Sequence, residues 1–420
     1  MIRLARLAAL AAPAVVLLIA AVATPLAEFA TNQGDVVYYL ERGRAVAEGL
    51  VPFRDFPLEY PPLALLPMVA PFLIARDAAL DIDHYRWLFA GGQAILLVIL
   101  GVALARIRRI EDEAAGRVAG GPFRFGVGGR LTVLSVGAAL ALAWRFDLLP
   151  ATLATLGVWA GIAKRPARAG FALGLGALAK LYPIVLAPAL AAAFWRRGDR
   201  HRVWILGGAL TLTVQLGLLP FVSVAGPAAF TFLAYQVDRG LQIESVGGGL
   251  AVLAGLIGGS PPELSFGFSA VQVEGPLAGA FLVALPMLTV LGFGVVGWLG
   301  WRRIQADLAP RGAAGGAVRP QTVVAVAFAS LLIVLVTSKV FSIQYVVWMV
   351  PFVALTEGRR FWLGAAIVAL TMPIHPLLYA ELVRQEALPI LVLNVRNSLL
   401  VVLAVWQIVS LRPSRPIVVG

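Results

Sequence analysis

The sequence predicts an all-α polytopic membrane protein, a bundle of about twelve transmembrane helices, from three observations. Mean hydropathy is +0.88, and 60% of the 420 residues are hydrophobic. Only 13% are charged, against about a quarter in ordinary soluble domains. The apolar residues also gather into repeated runs close to the ~20 residues a helix needs to cross a bilayer. These runs fall at 7–27, 86–105, 131–145, 148–163, 203–222, 277–300, 321–337, 343–356, 361–379 and 388–410.

The first run follows Arg3 and Arg6 and ends near Ala21-Val22-Ala23, which has the form of a signal-peptidase site. The run is long enough to cross, so it is read as an uncleaved first span. A polar, acidic, aromatic loop follows over 28–85, containing Gly34-Asp35-Val36-Val37-Tyr38-Tyr39 and Pro52-Phe53-Arg54-Asp55-Phe56-Pro57-Leu58-Glu59-Tyr60-Pro61-Pro62. Its apolar piece Pro61–Ala75 is short and Pro-rich. Counting that piece as a span would put Arg106-Ile107-Arg108-Arg109 outside, so it is read as a juxtamembrane helix on the outer surface. The stretch 169–194 is interrupted at Lys180-Leu181-Tyr182-Pro183 and flanked on both sides by Arg-rich clusters that belong in the cytoplasm. It must go in and come back as two short helices, with Lys180 at the turn. Both termini are then cytoplasmic, with most Lys and Arg inside and most acids outside. A Gly- and charge-rich loop at 107–130 lies inside. A second outer loop at 223–276 contains an interfacial apolar piece, Gly249–Leu256. The chain reads as one integral-membrane domain over 1–420.

Composition also excludes. The net charge of +12 lies in short clusters between apolar runs, a topology signal that makes the bilayer the expected partner and gives no reason to expect nucleic acid. There is no cysteine, hence no thiolate chemistry or disulfide. His84, His201 and His375 have no metal-ligand spacing, and no GxxxxGK[ST] loop for an ATP-driven pump is present.

Under this topology Asp35, Arg54, Asp55, Glu59, Arg145, Asp147, Lys180, Arg239, Glu244, Lys339, Gln344, His375 and Arg396 share the outer face. Charges close to a bilayer are costly and mark functional cavities, although each alone is also explained as a solvated loop residue or a helix-to-helix pair. The chain has three lysines, Lys164, Lys180 and Lys339. The last two occupy outer turns, where a compact ammonium suits a phosphate; helix capping is the bland alternative. Arg396, within an apolar span, requires an anion or a carboxylate such as Asp147. Asp35 is the candidate general base for a sugar hydroxyl, or an N-cap of the helix after it. Asp55 and Glu59 are the runners-up, because paired carboxylates serve sugar transfer. Tyr38, Tyr39, Phe53, Phe56 and Tyr60 offer faces for stacking on a sugar.

Several stretches together resemble the GT-C-fold membrane glycosyltransferases, specifically glycosyltransferase family 87, the polyprenyl-phosphate-mannose-dependent mannosyltransferases. They are Gly34-Asp35 through Tyr38, Pro52–Phe56 and Glu59-Tyr60-Pro61-Pro62; Arg145-Phe146-Asp147; Gly174–Pro183; Arg239-Gly240-Leu241-Gln242-Ile243-Glu244-Ser245; and Lys339-Val340-Phe341-Ser342-Ile343-Gln344-Tyr345. The resemblance implies a GT-C-like bundle and inverting transfer of a sugar, mannose favoured, from a polyprenyl-phosphate donor at the outer face. It implies no metal, nucleotide or other cofactor. Asp35 matches the family's base, and Lys180, Arg239, Lys339 and Arg396 would hold the donor phosphate. Glu59, Tyr60, Arg145, Asp147, Glu244, Gln344 and His375 complete the expected substrate-binding set. A glycolipid or a polysaccharide acceptor is consistent with the resemblance, and the sequence carries no local code that identifies it. The competing class is a non-enzymatic transporter or flippase of lipid-linked sugars, though internal repeats and mid-membrane polar breaks are missing. A structural subunit of an envelope-assembly complex would need no base at all.

Overall fold

The computed structural model describes residues 2–22, 34–117, 126–309 and 317–413, with 2–10 as backbone alone. Ala23 of the cleavage-like motif, the end of the first span, residues 28–33 of the first loop and residues 118–125 of the 107–130 loop lie outside the described residues.

Helices form where the apolar runs are. They are α1 (Ile2–Val22), α2 (Asp35–Ala47), α3 (Leu65–Ala75), α4 (Ile82–Ala114), α5 (Val127–Gly137), α6 (Ala139–Trp144), α7 (Leu148–Ile162), α8 (Pro166–Ala179) and α9 (Ala187–Arg196). Then come α10 (Arg200–Ala225), α11 (Thr231–Asp238), α12 (Val246–Gly258), α13 (Pro276–Leu308), α14 (Pro320–Thr337), α15 (Val346–Leu355), α16 (Arg359–Met372), α17 (Tyr379–Val383) and α18 (Ala387–Val409).

Among the described residues, six helical stretches are long and apolar enough to cross a membrane: Ile82–Ala114, Arg200–Asp238, Pro276–Leu308, Pro320–Thr337, Arg359–Leu377 and Ala387–Val409. The expected twelve are not confirmed: the first run is described only as far as Val22, and the other runs are divided or short. The run at 131–145 is broken at Ala138 into α5 and α6. The 15-residue α7 reaches about 22 Å at 1.5 Å per residue, short of the ~30 Å hydrocarbon core. The α8–α9 pair does turn at Lys180, which is extended at φ −162°. The 107–130 loop is shortened, since α4 continues to Ala114 and α5 begins at Val127.

Two long helices present apolar surface outward. On α10 only Leu206 is buried, while Trp204, Leu212, Leu216 and Leu219 are exposed. On α13, Val283, Met287, Val290 and Leu291 are exposed. Contiguous apolar faces of this size belong against lipid. Inward, α8 meets α10 through Gly170 and Gly174. A Cβ on Gly170 would lie 2.3 Å from the Leu206 carbonyl oxygen, and one on Gly174 would lie 2.9 Å from that of Leu210. Small residues four apart permit such close backbone approach.

Residues 226–276 are more than a loop. An antiparallel sheet of order β1 (Leu241–Gln242), β3 (Ala270–Val273), β2 (Leu264–Gly267) accompanies α11 and α12. The predicted interfacial piece 249–256 lies within α12. Pro61–Ala75 becomes a 3₁₀ turn followed by the 11-residue α3, too short to cross alone. It packs Leu65, Met68 and Phe72 inward.

Candidate active site

A cavity of about 520 Å³ lies between the ends of α2, α6, α11 and α16, the turn after α14 and the β2–β3 hairpin. Asp35, Glu59, Tyr60, Arg145, Arg239, Glu244, Gln344 and His375 all line it. The structure therefore brings together eight expected site residues spread over 340 positions of sequence.

Asp35 opens α2, and the N-cap is Gly34, in extended conformation. The aspartate is thus the first helical residue rather than the cap, a position where the helix dipole favours negative charge. Its side chain forms an ion pair with Arg145, and Tyr39 Oη donates to the same oxygen, Oδ2, at 3.3 Å. Tyr39 is fully buried, its ring 5.6 Å from those of Phe89 and Phe146. Burial of these apolar faces fixes α2 and hence Asp35.

Two further carboxylates face the cavity. Glu59 is half-buried, and loss of hydration raises its pKa above the usual range. Its backbone N–H donates to Tyr38 Oη at 3.4 Å, and Ser269 Oγ in the β2–β3 turn reaches its Oε1 at 3.5 Å. Glu244 is 3% exposed, and burial pushes its carboxyl up to about 7, opposed by the charge of Arg396. Gln242 organises this wall. Its Nε2 donates to Glu244 Oε2 at 2.7 Å and to Ser342 Oγ at 3.0 Å, and its Oε1 accepts from Phe341 N at 2.9 Å. The Ser245-capped start of α12 packs tightly below: a Cβ on Gly248 would lie 2.1 Å from the Gln242 carbonyl oxygen.

Of the four cations expected at a donor phosphate, only Arg239 lines the cavity. It makes no ion pair among the described residues; its guanidinium lies 5.6 Å from the Tyr235 ring centroid. Lys339 donates to the carbonyl oxygens of Val237 at 2.7 Å and Arg239 at 2.5 Å. It thereby caps the end of α11, and partial burial lowers its pKa. Arg396 is 1% exposed, donates to the Glu244 carbonyl oxygen at 2.8 Å and lies 4.3 Å from the Phe341 ring centroid. Lys180 lies behind the wall, 2.7 Å from the fully buried Asp147, so Asp147 pairs with Lys180 rather than Arg396. Burial lowers the Lys180 pKa, and the Asp147 charge opposes that. Asp55 is outside the cavity. Arg54 grips it at 2.8 Å and Val51 N donates to it at 2.7 Å in an exposed turn, which holds its pKa down at about 2.

His375 and Gln344 line the far wall. Sequence reasoning missed the hairpin tip, where Phe266, Phe268 and Ser269 also line the cavity, and it missed the role of Gln242. A Gly-x-Ser turn between apolar residues was the available signal for the hairpin. Among the described residues, no group of three or more His, Asp or Glu is placed to hold a metal ion.

No protein-family model and no curated protein matches this chain. Among solved structures, two of the Archaeoglobus fulgidus oligosaccharyltransferase are similar. One is the apo form, with 15% identity and a TM-score of 0.40 over 97% of this chain and 55% of that one. The other is tethered by a disulfide bond to an acceptor peptide containing the NVT sequon, with 15% identity and a TM-score of 0.38 over 98% of this chain and 56% of that one. The chain spans about half the length of these structures.

Proposed function

We propose that this chain is a membrane glycosyltransferase of the GT-C type that moves a sugar, mannose favoured, from a polyprenyl-phosphate donor to a glycolipid or polysaccharide acceptor. The observation that carries the reading is the make-up of one cavity. Three carboxylates, an arginine that makes no ion pair among the described residues, and several aromatic rings meet beside helices whose outer faces are apolar. A lipid-linked sugar phosphate needs each of these: a base, a cation for the leaving group, ring faces for the sugar and lipid alongside for the polyprenyl tail.

In the proposed reaction the acceptor hydroxyl attacks the anomeric carbon. Its proton passes to Asp35 as the new glycosidic bond forms, and the polyprenyl phosphate leaves with the electron pair of the broken C–O bond. Arg145 and Tyr39 both address Asp35 Oδ2, which leaves Oδ1 for the acceptor hydroxyl. Arg239 stabilises the departing phosphate, a charge that grows in the transition state. The active site faces the outer side, and both termini are cytoplasmic, as the arginine distribution suggests.

The test is transfer from synthetic polyprenyl-phosphate-mannose by purified protein, comparing Asp35→Asn with the parent. Loss of a general base costs on the order of 10²–10⁴-fold in turnover. A folded variant that transfers at the parental rate refutes Asp35 as the base. A parent that transfers to no acceptor but moves the donor across vesicles refutes the enzyme and establishes a transporter.

A further inference from the structure

Residues 145–147 run through the cavity wall, and their side chains take three directions. Arg145 faces the cavity and meets Asp35. Phe146 is fully buried between Tyr39 and Tyr60, at ring distances of 5.6 and 4.8 Å. Asp147, 0% exposed, points into the bundle behind the wall. There Lys180 Nζ at 2.7 Å and Trp348 Nε1 at 2.6 Å converge on its Oδ1. Trp348 is held in a stack, 4.2 Å from the Tyr182 ring and 4.0 Å from that of Tyr345. The Lys180 ammonium lies 5.1–5.5 Å from the centroids of Tyr60, Phe146, Tyr345 and Trp348. Its charge is compensated by one carboxylate and four rings, and Lys180 itself is not among the residues that line the cavity. A buried ion pair of this kind adds little stability over apolar side chains of the same volume. Its value lies in direction, because a salt bridge fixes its two ends where an apolar contact would let them slide.

We propose that Lys180 and Asp147 are positioning residues: the pair anchors the 145–147 segment from behind so that Arg145 is delivered to Asp35, and it clamps Tyr60 against the cavity. For its catalytic consequence this rests on the reading of Asp35 as the base. The anchoring itself stands on the contacts alone. Lys180 therefore acts on the reaction through Arg145, and the donor phosphate is left to Arg239.

The experiment compares Lys180→Met, Arg145→Gln and the double variant, each as purified full-length protein. Two measurements are made: turnover with synthetic polyprenyl-phosphate-mannose, and modification of Arg145 by phenylglyoxal, mapped by mass spectrometry. Each single variant is expected to lose on the order of 10²-fold in kcat, the cost of a catalytic group displaced by about 1 Å, with the donor KM nearly unchanged. If Lys180 acts through Arg145, the double variant is no slower than Arg145→Gln. Independent effects would instead multiply to roughly 10⁴-fold. Freed from its anchor, Arg145 should react with phenylglyoxal several-fold faster in Lys180→Met and at the parental rate in Lys180→Arg. Multiplicative losses, or Arg145 reactivity unchanged in Lys180→Met, overturn the proposal. The modification needs no substrate, so it still decides on anchoring if the parent proves to transfer nothing. Should Lys180→Met not fold, the paired Lys180→Met/Asp147→Leu replacement, which strands no charge, carries the same test, and parental Arg145 reactivity there also overturns it.

Discussion

Replacing Glu244 by glutamine should remove a defined part of the protein's pH dependence. The carboxyl is 3% exposed, accepts 2.7 Å from Gln242 Nε2 and has a pKa raised by burial from 4.5 to about 7. Arg396, Arg145 and Arg239 oppose that rise without cancelling it. Since the pKa is higher in the folded state, folding holds the proton more tightly than the unfolded chain does. The stabilising contribution is therefore complete below pH 4.5 and is lost as pH rises through 7. At 1.36 kcal/mol per unit the whole span is roughly 3 kcal/mol. Above pH 7 the fold carries a buried carboxylate that glutamine would not impose. The assay is thermal unfolding in detergent at a fixed scan rate, from pH 5 to pH 8, for the parent and Glu244→Gln. The parental midpoint should fall across this range by a few degrees more than the variant's, and the variant should be the more stable at pH 8. Parallel curves for the two proteins would refute the reasoning, because they would mean that Glu244 titrates at the same pH folded and unfolded.

Asp55→Asn should transfer sugar within about threefold of the parent, since Asp55 is engaged by Arg54 and Val51 in an exposed turn away from the cavity; a loss approaching the 10²-fold or more of a missing base would restore it as a catalytic candidate. Lys339→Met should release the Val237 and Arg239 carbonyls and loosen Arg239. Steady-state kinetics should show the donor KM rising on the order of tenfold, the equivalent of one charged hydrogen bond at about 1.5 kcal/mol, with kcat little changed. An unaltered KM would show that Arg239 holds its place without the lysine.

The run positions were legible because apolar length is written directly in composition: each run of the sequence became mostly helix over its described part, and the interruption at Lys180 ends a helix. What the sequence could not separate was a long run from one divided in space, such as α5 and α6, where the break at Ala138 carries no Pro and no charge. The small sheet was hidden for another reason. Strand β1 is two residues long, and its partner β3 pairs Gln242 with Gln272, thirty residues away, so no local alternation reveals it. That several ionisable residues would gather was legible in the sequence, and Asp35, Glu59, Arg145, Arg239, Glu244 and His375 do line one cavity. Their pairing was not, because a lone cation between two apolar runs looks the same whether it lines a cavity, as Arg239 does, or meets a buried carboxylate, as Lys180 does.

That distinction changes the electrostatics of the proposed reaction. Four cations around one phosphate would bind the donor tightly before and after transfer alike, which lowers KM without helping the chemical step. The structure commits three of them to the protein: Lys180 to Asp147, Lys339 to two carbonyls and Arg396 to the Glu244 carbonyl. Arg145, the other arginine lining the cavity, is already paired with Asp35. An incoming phosphate thus meets Arg239, on the segment joining α11 to β1, while the proposed base stands at the start of α2. Asp35 and Arg239 come from separate elements that line one cavity, and the proposed in-line displacement with inversion needs the base and the leaving-group cation on opposite sides of the sugar. A single guanidinium neutralises charge as it develops and still lets the product phosphate go.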